Sequence, residues 1–264
     1  MIIDTHVHFY DPSMGVFSWP PVDSEYYRSF MPDALFGETG TQGVSCVAVG
    51  CSDEFELNLK LLDALKDDGR VAAYIAQIDP SDPRCAEYAG RYAEKPKYRG
   101  FRVNAQNALP YGDRVASMLT PGAVVELLGN WRYVIPWAEF IAAHPDTTFI
   151  IEHFGGYLFE GEPVPEEYRD FCRQFAAFPN VAVKLSGFYT LCCVSPKPTD
   201  AGMFRDAFSA MLDAFGPDRC MYGSDWPVAG VPYGQCVSTF RELAGDTSEK
   251  TMFETARRSY RIDM

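Results

Sequence analysis

Histidine is scarce in this chain, with four in 264 residues. Basic charge is short too: 23 lysines and arginines face 36 acidic residues, for a formal charge of −13. So acidic a surface repels phosphate backbones and anionic lipid, which argues against nucleic acid or a membrane as partner. It leaves room for a small anionic substrate, because a local pocket can be basic on an acidic protein. The eight cysteines (Cys46, Cys51, Cys85, Cys172, Cys192, Cys193, Cys220, Cys236) include no C-x-x-C pair, which argues against a zinc ribbon or a redox dithiol. Several lie in apolar runs and read as small core residues, so a reduced, cytoplasmic setting is expected. No apolar run is long enough to span a bilayer. The Met1-Ile2-Ile3-Asp4 start has no basic region ahead of an apolar stretch, so no signal peptide is expected. Repeats, low-complexity tracts and long polar linkers are also missing from the sequence. One domain over residues 1–264 is expected, binding a small molecule, with a homo-oligomer left open.

What is present is an alternation. Short apolar runs at Ile2–His8, Val44–Gly50, Val71–Ile78, Tyr98–Val103, Ala123–Leu128, Thr148–His153, Val181–Ser186 and Arg219–Ser224 suit parallel strands buried on both faces. Amphipathic stretches fall between them: Glu54–Leu65, Asp82–Tyr92, Ile135–Ala143, Pro165–Ala177, Asp200–Phe215 and Gln235–Leu243. A closing helix is predicted over Ser248–Tyr260, with Thr247 or Ser248 as its cap. Eight strands alternating with helices argue for an α/β fold, a single (β/α)8 TIM barrel, over an open sheet. The long aromatic segment Asp11–Pro32 reads as a loop over the barrel mouth.

Such barrels place their sites at the C-terminal strand ends. His6 and His8 close the first strand. At spacing i, i+2 they share a face, with Asp4 one step below and Thr5 and Val7 on the other side. They can hold one divalent metal or donate to a substrate carbonyl, and as a lone pair they are as readily two satisfied core histidines. Strand six delivers His153 ahead of the Gly155-Gly156 pair. Strand eight delivers Asp225, which taken alone reads more readily as a helix cap. Arg102 and Lys184 can bind a substrate carboxylate, or be neutralised by Asp4 or Glu152. Tyr10, Phe17, Trp19, Tyr157 and Trp226 line a pocket or cover the barrel end. His144, before Pro145-Asp146, reads as structural.

Asp-Thr-His-Val-His at the first strand, Glu-His-Phe-Gly-Gly at the sixth and Tyr-Gly-Ser-Asp-Trp-Pro-Val at the eighth together resemble the amidohydrolase superfamily. Within it, the chain is similar to the amidohydrolase-related family of sugar-acid and dicarboxylate lactonases and metal-dependent decarboxylases. Lys-Leu-Ser-Gly in strand seven and Gly-Ser-Asp-Trp-Pro-Val in strand eight look most like the lactonase branch. The Gly-Gly after His153 is closer to the decarboxylases. No histidine stands near strand five, where binuclear members and decarboxylases carry a ligand, and Glu126 is the acidic residue of that run.

The resemblance implies a hydrolase that opens a small carboxylated lactone. Asp225 would be the base that activates water, and His153 would polarise the carbonyl or protonate the leaving alkoxide. His6, His8 and Asp225 would hold one divalent ion, zinc or manganese, if a metal is used at all. Arg102, Lys184, Tyr157 and Trp226 would bind substrate. The alternatives are a mononuclear-metal decarboxylase, a lactone isomerase, or a barrel that only binds a metabolite.

Overall fold

The computed structural model of the protein describes residues 1–17, 19–39 and 43–263. Its eight strands are β1 (Ile2–Val7), β2 (Val44–Val49), β3 (Val71–Gln77), β4 (Tyr98–Asn104), β5 (Val124–Leu128), β6 (Thr148–Ile151), β7 (Val181–Ser186) and β8 (Cys220–Gly223). They form one sheet in sequence order, each strand from β1 to β8 parallel to the next. Helices lie between strands, and the expected (β/α)8 barrel is what the chain forms. No helix of the described residues is long and apolar enough to cross a membrane. None of the eight cysteines forms a disulfide, and only Cys193 among them is exposed.

The seam between β8 and β1 is closed at the strands' C-terminal ends. Val7 bridges Trp226 in parallel. The Asp225 N–H donates to the His6 carbonyl at 2.9 Å, and the His8 N–H donates to the Trp226 carbonyl at 2.9 Å. Thr5 Oγ1 donates to the Tyr222 carbonyl at 2.6 Å, and Asp4 Oδ1 accepts from the Ser224 N–H at 2.9 Å.

A bulge in β1 changes which side chains face the interior. Asp4 pairs with Cys46 but Val7 pairs with Ala48, so β1 uses three steps where β2 uses two. An extra residue in one strand reverses the facing of everything beyond it. Ile3 therefore packs in the barrel interior with Val47, Ile75, Val124, Ile150 and Met221. Asp4 turns to the seam instead, where Oδ1 also accepts from the His6 N–H at 3.1 Å and steadies the bulge. The expectation that Asp4 sits one step beneath His6 on the same face is thereby overturned.

Helix boundaries agree with the periodicity to within a few residues where the apolar stripe is strong. Phe55–Leu65 buries Phe55, Leu59, Leu62 and Leu65 as the pattern requires. The C-terminal segment differs. It runs through a 3-10 turn (Gly245–Thr247) and a π-turn (Lys250–Glu254) into Thr255–Ser259. Thr247 and Ser248 do not cap it: their hydroxyls donate to the Ala244 and Gly245 carbonyls, at 2.7 and 2.5 Å, rather than accepting helix N–H groups. Beyond it, Tyr260 and Ile262 join the interior cluster and plug the barrel floor.

The Asp11–Pro32 segment, of which residue 18 lies outside the described residues, is cinched at its base. Tyr10 and Phe30 exchange both backbone hydrogen bonds, at 3.0 and 2.8 Å. Its Trp19 ring packs on His8, with centroids 5.0 Å apart.

Asp4 is the buried polar residue on which the seam turns. Asp4→Ala leaves two buried N–H groups without their acceptor, and should lower the unfolding free energy by about 2–3 kcal/mol. Asp4→Asn, which keeps an acceptor oxygen, should recover part of that loss. Urea denaturation of the three proteins measures it, and an unchanged midpoint for Asp4→Ala would contradict the seam's role.

Candidate functional site

Above the apolar interior layer lies a charged one. On β4, β5, β6 and β7 a small or apolar inward residue is followed two positions later by a charge. The pairs are Gly100 and Arg102, Val124 and Glu126, Ile150 and Glu152, Ala182 and Lys184. Period two keeps each pair on one face, so the four charges meet on the barrel axis. Arg102 is 5% exposed and the other three are fully buried. Gly100 is small for a reason: a Cβ there would come within 1.9 Å of the Val124 carbonyl oxygen.

Buried charges persist only when paired. Lys184 Nζ lies 2.5 Å from Glu126 Oε2, and Tyr260 donates its hydroxyl proton to Glu126 Oε1 at 2.5 Å. Glu152 sits at the centre, with Oε2 3.5 Å from Arg102 Nη1 and Oε1 3.8 Å from Lys184 Nζ. The two acids titrate apart. Burial pushes Glu126 up to about 8, with the nearby Glu152 charge adding to the effect. Burial also works against the ionised Glu152, but Arg102, the hydrogen bond from Glu126 and the Lys184 charge together outweigh it and hold that carboxyl down to about 2.

The histidines crown this layer. His6 Nδ1 lies 3.5 Å from Glu152 Oε1 and 3.4 Å from Lys184 Nζ. Burial, reinforced by surrounding positive charge, holds His6 well below its usual value, so the ring is neutral. His8 Nδ1 is 2.8 Å from the Val49 carbonyl oxygen, which can only accept, so Nδ1 carries the proton and Nε2 presents a lone pair. His6 Nε2 and His8 Nε2 face each other at 3.2 Å. Asp225 Oδ1 completes the triangle, 3.7 Å from His6 Nε2 and 3.5 Å from His8 Nε2.

That triangle tests the fit of a divalent metal. Zinc–ligand bonds of about 2.0–2.2 Å at tetrahedral angles give ligand–ligand edges of about 3.3–3.6 Å. The three observed separations span that range closely. Two imidazole nitrogens and a carboxylate oxygen converging in a buried site also call for a positive charge among them. A second grouping, His6, Glu152 and His153, likewise brings ligand atoms within 4.8 Å of one another.

His153 and Asp225 reach the site through strained backbone. Four consecutive residues, His153 (φ 50°), Phe154 (φ 55°), Gly155 (φ 64°) and Gly156 (φ 62°), are left-handed, and so is Asp225 (φ 64°). For a non-glycine residue this costs on the order of 1–2 kcal/mol, and such strain gathers at functional sites. The turn is held by Phe154, whose ring packs among Phe159, Phe188 and Phe208, and by Tyr168, whose hydroxyl donates to the Phe154 carbonyl at 2.8 Å. The glycine pair serves this backbone rather than flexibility: a Cβ on Gly156 would lie 2.6 Å from the Gly129 carbonyl oxygen.

His153 Nδ1 is 2.9 Å from Ser186 Oγ, and its ring centroid is 4.2 Å from that of His6. Burial holds His153 below its usual value. Burial alone would raise Asp225, but the His153 and His8 neighbours outweigh it and keep the carboxyl low.

His6, His8, His153 and Asp225 thus come together from β1 and the ends of β6 and β8, as expected. Arg102 and Lys184 join them from below. Lys184 is wholly buried with its ammonium on Glu126, so it faces the cluster and not an open mouth. Two aromatic expectations are moved by the geometry. Trp226 packs on Phe9 and Phe30 and donates its indole N–H to Glu38 Oε1 at 3.2 Å. Tyr157 packs on Tyr168 and Phe159, behind the left-handed turn. His144 is structural, its Nδ1 2.7 Å from the Phe140 carbonyl oxygen. The residues that sequence reasoning passed over are Ser186, Gln77, Tyr260 and the central role of Glu152. The small-x-charge alternation on four successive strands is the signal that would have found Glu152.

The chain matches the family model described as amidohydrolase over residues 3–262. It is 28% identical to an L-fucono-1,5-lactonase of Burkholderia ambifaria across 99% of this chain and 96% of that one. It is also 28% identical to an L-fucono-1,5-lactonase of Burkholderia multivorans across 86% of this chain and 82% of that one. An amidohydrolase of Burkholderia multivorans solved with bound zinc superposes with a TM-score of 0.85 at 28% identity, each chain covered in full. With its barrel, its strand-end cluster and a match from the first strand to the last helix, the chain belongs to the amidohydrolase family.

Proposed function

We propose that this amidohydrolase opens a small lactone of the sugar-acid type by hydrolysis. The observation that carries the reading is the triangle of His6 Nε2, His8 Nε2 and Asp225 Oδ1, with edges of 3.2, 3.5 and 3.7 Å, beside a neutral His153. The resemblance in sequence to two lactonases supports it.

A divalent ion held by His6, His8 and Asp225, with zinc favoured by the edge lengths, would polarise the ring carbonyl and acidify water. Asp225, ionised and buried, takes the proton of the attacking water. The hydroxide oxygen bonds to the carbonyl carbon, and the ring C–O bond then breaks. His153 gives its proton to the departing alkoxide. For Nε2 to be that donor, the Ser186 hydroxyl must donate to Nδ1, and their 2.9 Å separation allows it. The new carboxylic acid returns a proton to His153 and the proton on Asp225 leaves to solvent, so each turnover yields a hydroxycarboxylate and one proton.

The charged layer favours one metal over two. Glu126, the acidic residue of β5, is engaged by Lys184 and Tyr260, and a second cation there would lie against the Lys184 ammonium. The decarboxylase reading gains nothing from Gly155-Gly156, because the left-handed turn accounts for both glycines. The buried thiols fit a reducing compartment.

Asp225→Asn should fold normally and lose roughly 10²–10⁴ in kcat, measured as proton release from aldono-1,5-lactones. Retained turnover would remove Asp225 as the base. After metal loading and dialysis, elemental analysis should find about one zinc per wild-type chain and little in His6→Ala or His8→Ala. Equal zinc in all three proteins would place the ion elsewhere.

A further inference from the structure

A cavity of about 630 Å³ opens at the ends of β3, β4 and β5, within the size range of small-molecule sites. Arg102 is the residue that this cavity shares with the charged layer beneath the histidines. We infer that the cavity is the subsite for the uncharged, hydroxylated arm of the lactone, and that Gln77 and Asp53 keep carboxylates out of it. This rests on the lactonase reading and goes further, since it names which end of the substrate carries no charge.

The Arg102 guanidinium is already engaged within the protein. An arginine grips a carboxylate side-on through Nε and one terminal nitrogen. In Arg102 both of those donors already point at one acceptor: Nε is 3.0 Å and Nη2 2.7 Å from Gln77 Oε1. The remaining terminal nitrogen, Nη1, faces Glu152 Oε2. A carboxylate taking Arg102 side-on would have to displace Gln77.

Asp53 makes that displacement harder. It accepts from Gln77 Nε2 at 2.9 Å, which fixes the amide so that its oxygen, not its nitrogen, faces Arg102. Asp53 and Asp79 also set two formal negative charges in the lining against the one of Arg102. The rest of the polar lining, including Asn104, Gln106, Asn107 and Tyr111, is uncharged and able to both donate and accept. That chemistry suits hydroxyl groups. The lactone group itself carries no carboxylate until the ring opens, and the new carboxylate then forms at the reacting carbonyl, away from this arm. Arg102 is therefore a wall of the subsite, and the expectation that it grips a substrate carboxylate gives way.

Two inert ligands isolate the arm: a hexono-1,5-lactam and the same lactam bearing a carboxylate at C6. Calorimetry on the zinc-loaded protein should show the neutral lactam binding about tenfold or more tighter. Gln77→Leu frees the Arg102 fork and should bring the carboxylated lactam level with or ahead of the neutral one. Asp53→Asn, an exposed position, should move the ratio the same way by about threefold. Equal binding of both lactams to the wild type, or a ratio that neither variant moves, would overturn the inference. Proton release from the matching lactones separates the two readings. The expected binding ratio without ring opening removes the hydrolase and leaves the subsite standing. Ring opening with the carboxylated ligand preferred removes the subsite alone.

Discussion

The site depends on the seam where the last strand meets the first. His6 and His8 stand near the start of the chain and Asp225 near its end, and only the closing of the barrel makes them neighbours. The hydrogen bonds that close it belong to the functional residues themselves: Asp225 donates its N–H to the His6 carbonyl, and His8 donates its own to Trp226. Closing the barrel and building the candidate metal triangle are thus one event. The bulge in β1 belongs to the same event. It sends Asp4 to latch the seam and turns both imidazoles inward.

Beneath the histidines, the barrel gives up apolar packing for a layer of four ionisable side chains. Such a layer seldom stabilises a fold by more than well-packed apolar residues would. Its value lies in the field it sets. Glu152 is held ionised by Arg102, and burial keeps His6 neutral, so the imidazole is available as a ligand rather than as a cation. The left-handed backbone at His153 and Asp225 is a second local cost, and the aromatic packing around Phe154 offsets it. Stability is given up in two places, and both adjoin the cluster.

Much of this was legible in the sequence, for definable reasons. Parallel strands buried on both faces leave near-continuous apolar runs, so all eight were found with ends off by a residue or two. His6, His8, His153 and Asp225 each had a bland reading alone, and stood out because they end such runs in three motifs that occur in the order of a known family. The β1 bulge could not be read, because nothing in Asp-Thr-His announces an extra residue in the pairing, and Asp4 was misplaced as a result. The C-terminal segment was misjudged for a related reason: a hydroxyl that caps a helix and one that donates back to a preceding carbonyl have the same residue type. Arg102 was seen, but its partner was not. Its occupation by Gln77 depends on the register between β3 and β4, where Gln77 pairs directly with Arg102. Pairing across strands is what a single sequence conceals.

The same register shows how a barrel of this kind can change its substrate without touching its chemistry. The cluster proposed to break the ester draws on β1, β6 and β8. The lining of the proposed subsite draws on β3, β4 and β5. Arg102 is where the two sets meet, one nitrogen on Glu152 and two on Gln77. Replacing the amide of Gln77 by an apolar side chain would leave every ligand of the triangle in place and expose a fork that prefers carboxylates. If the proposed subsite holds, acid or amide chemistry at the end of β3 is sufficient to decide substrate charge. The proposed hydrolytic apparatus on the opposite wall can remain constant while that decision changes.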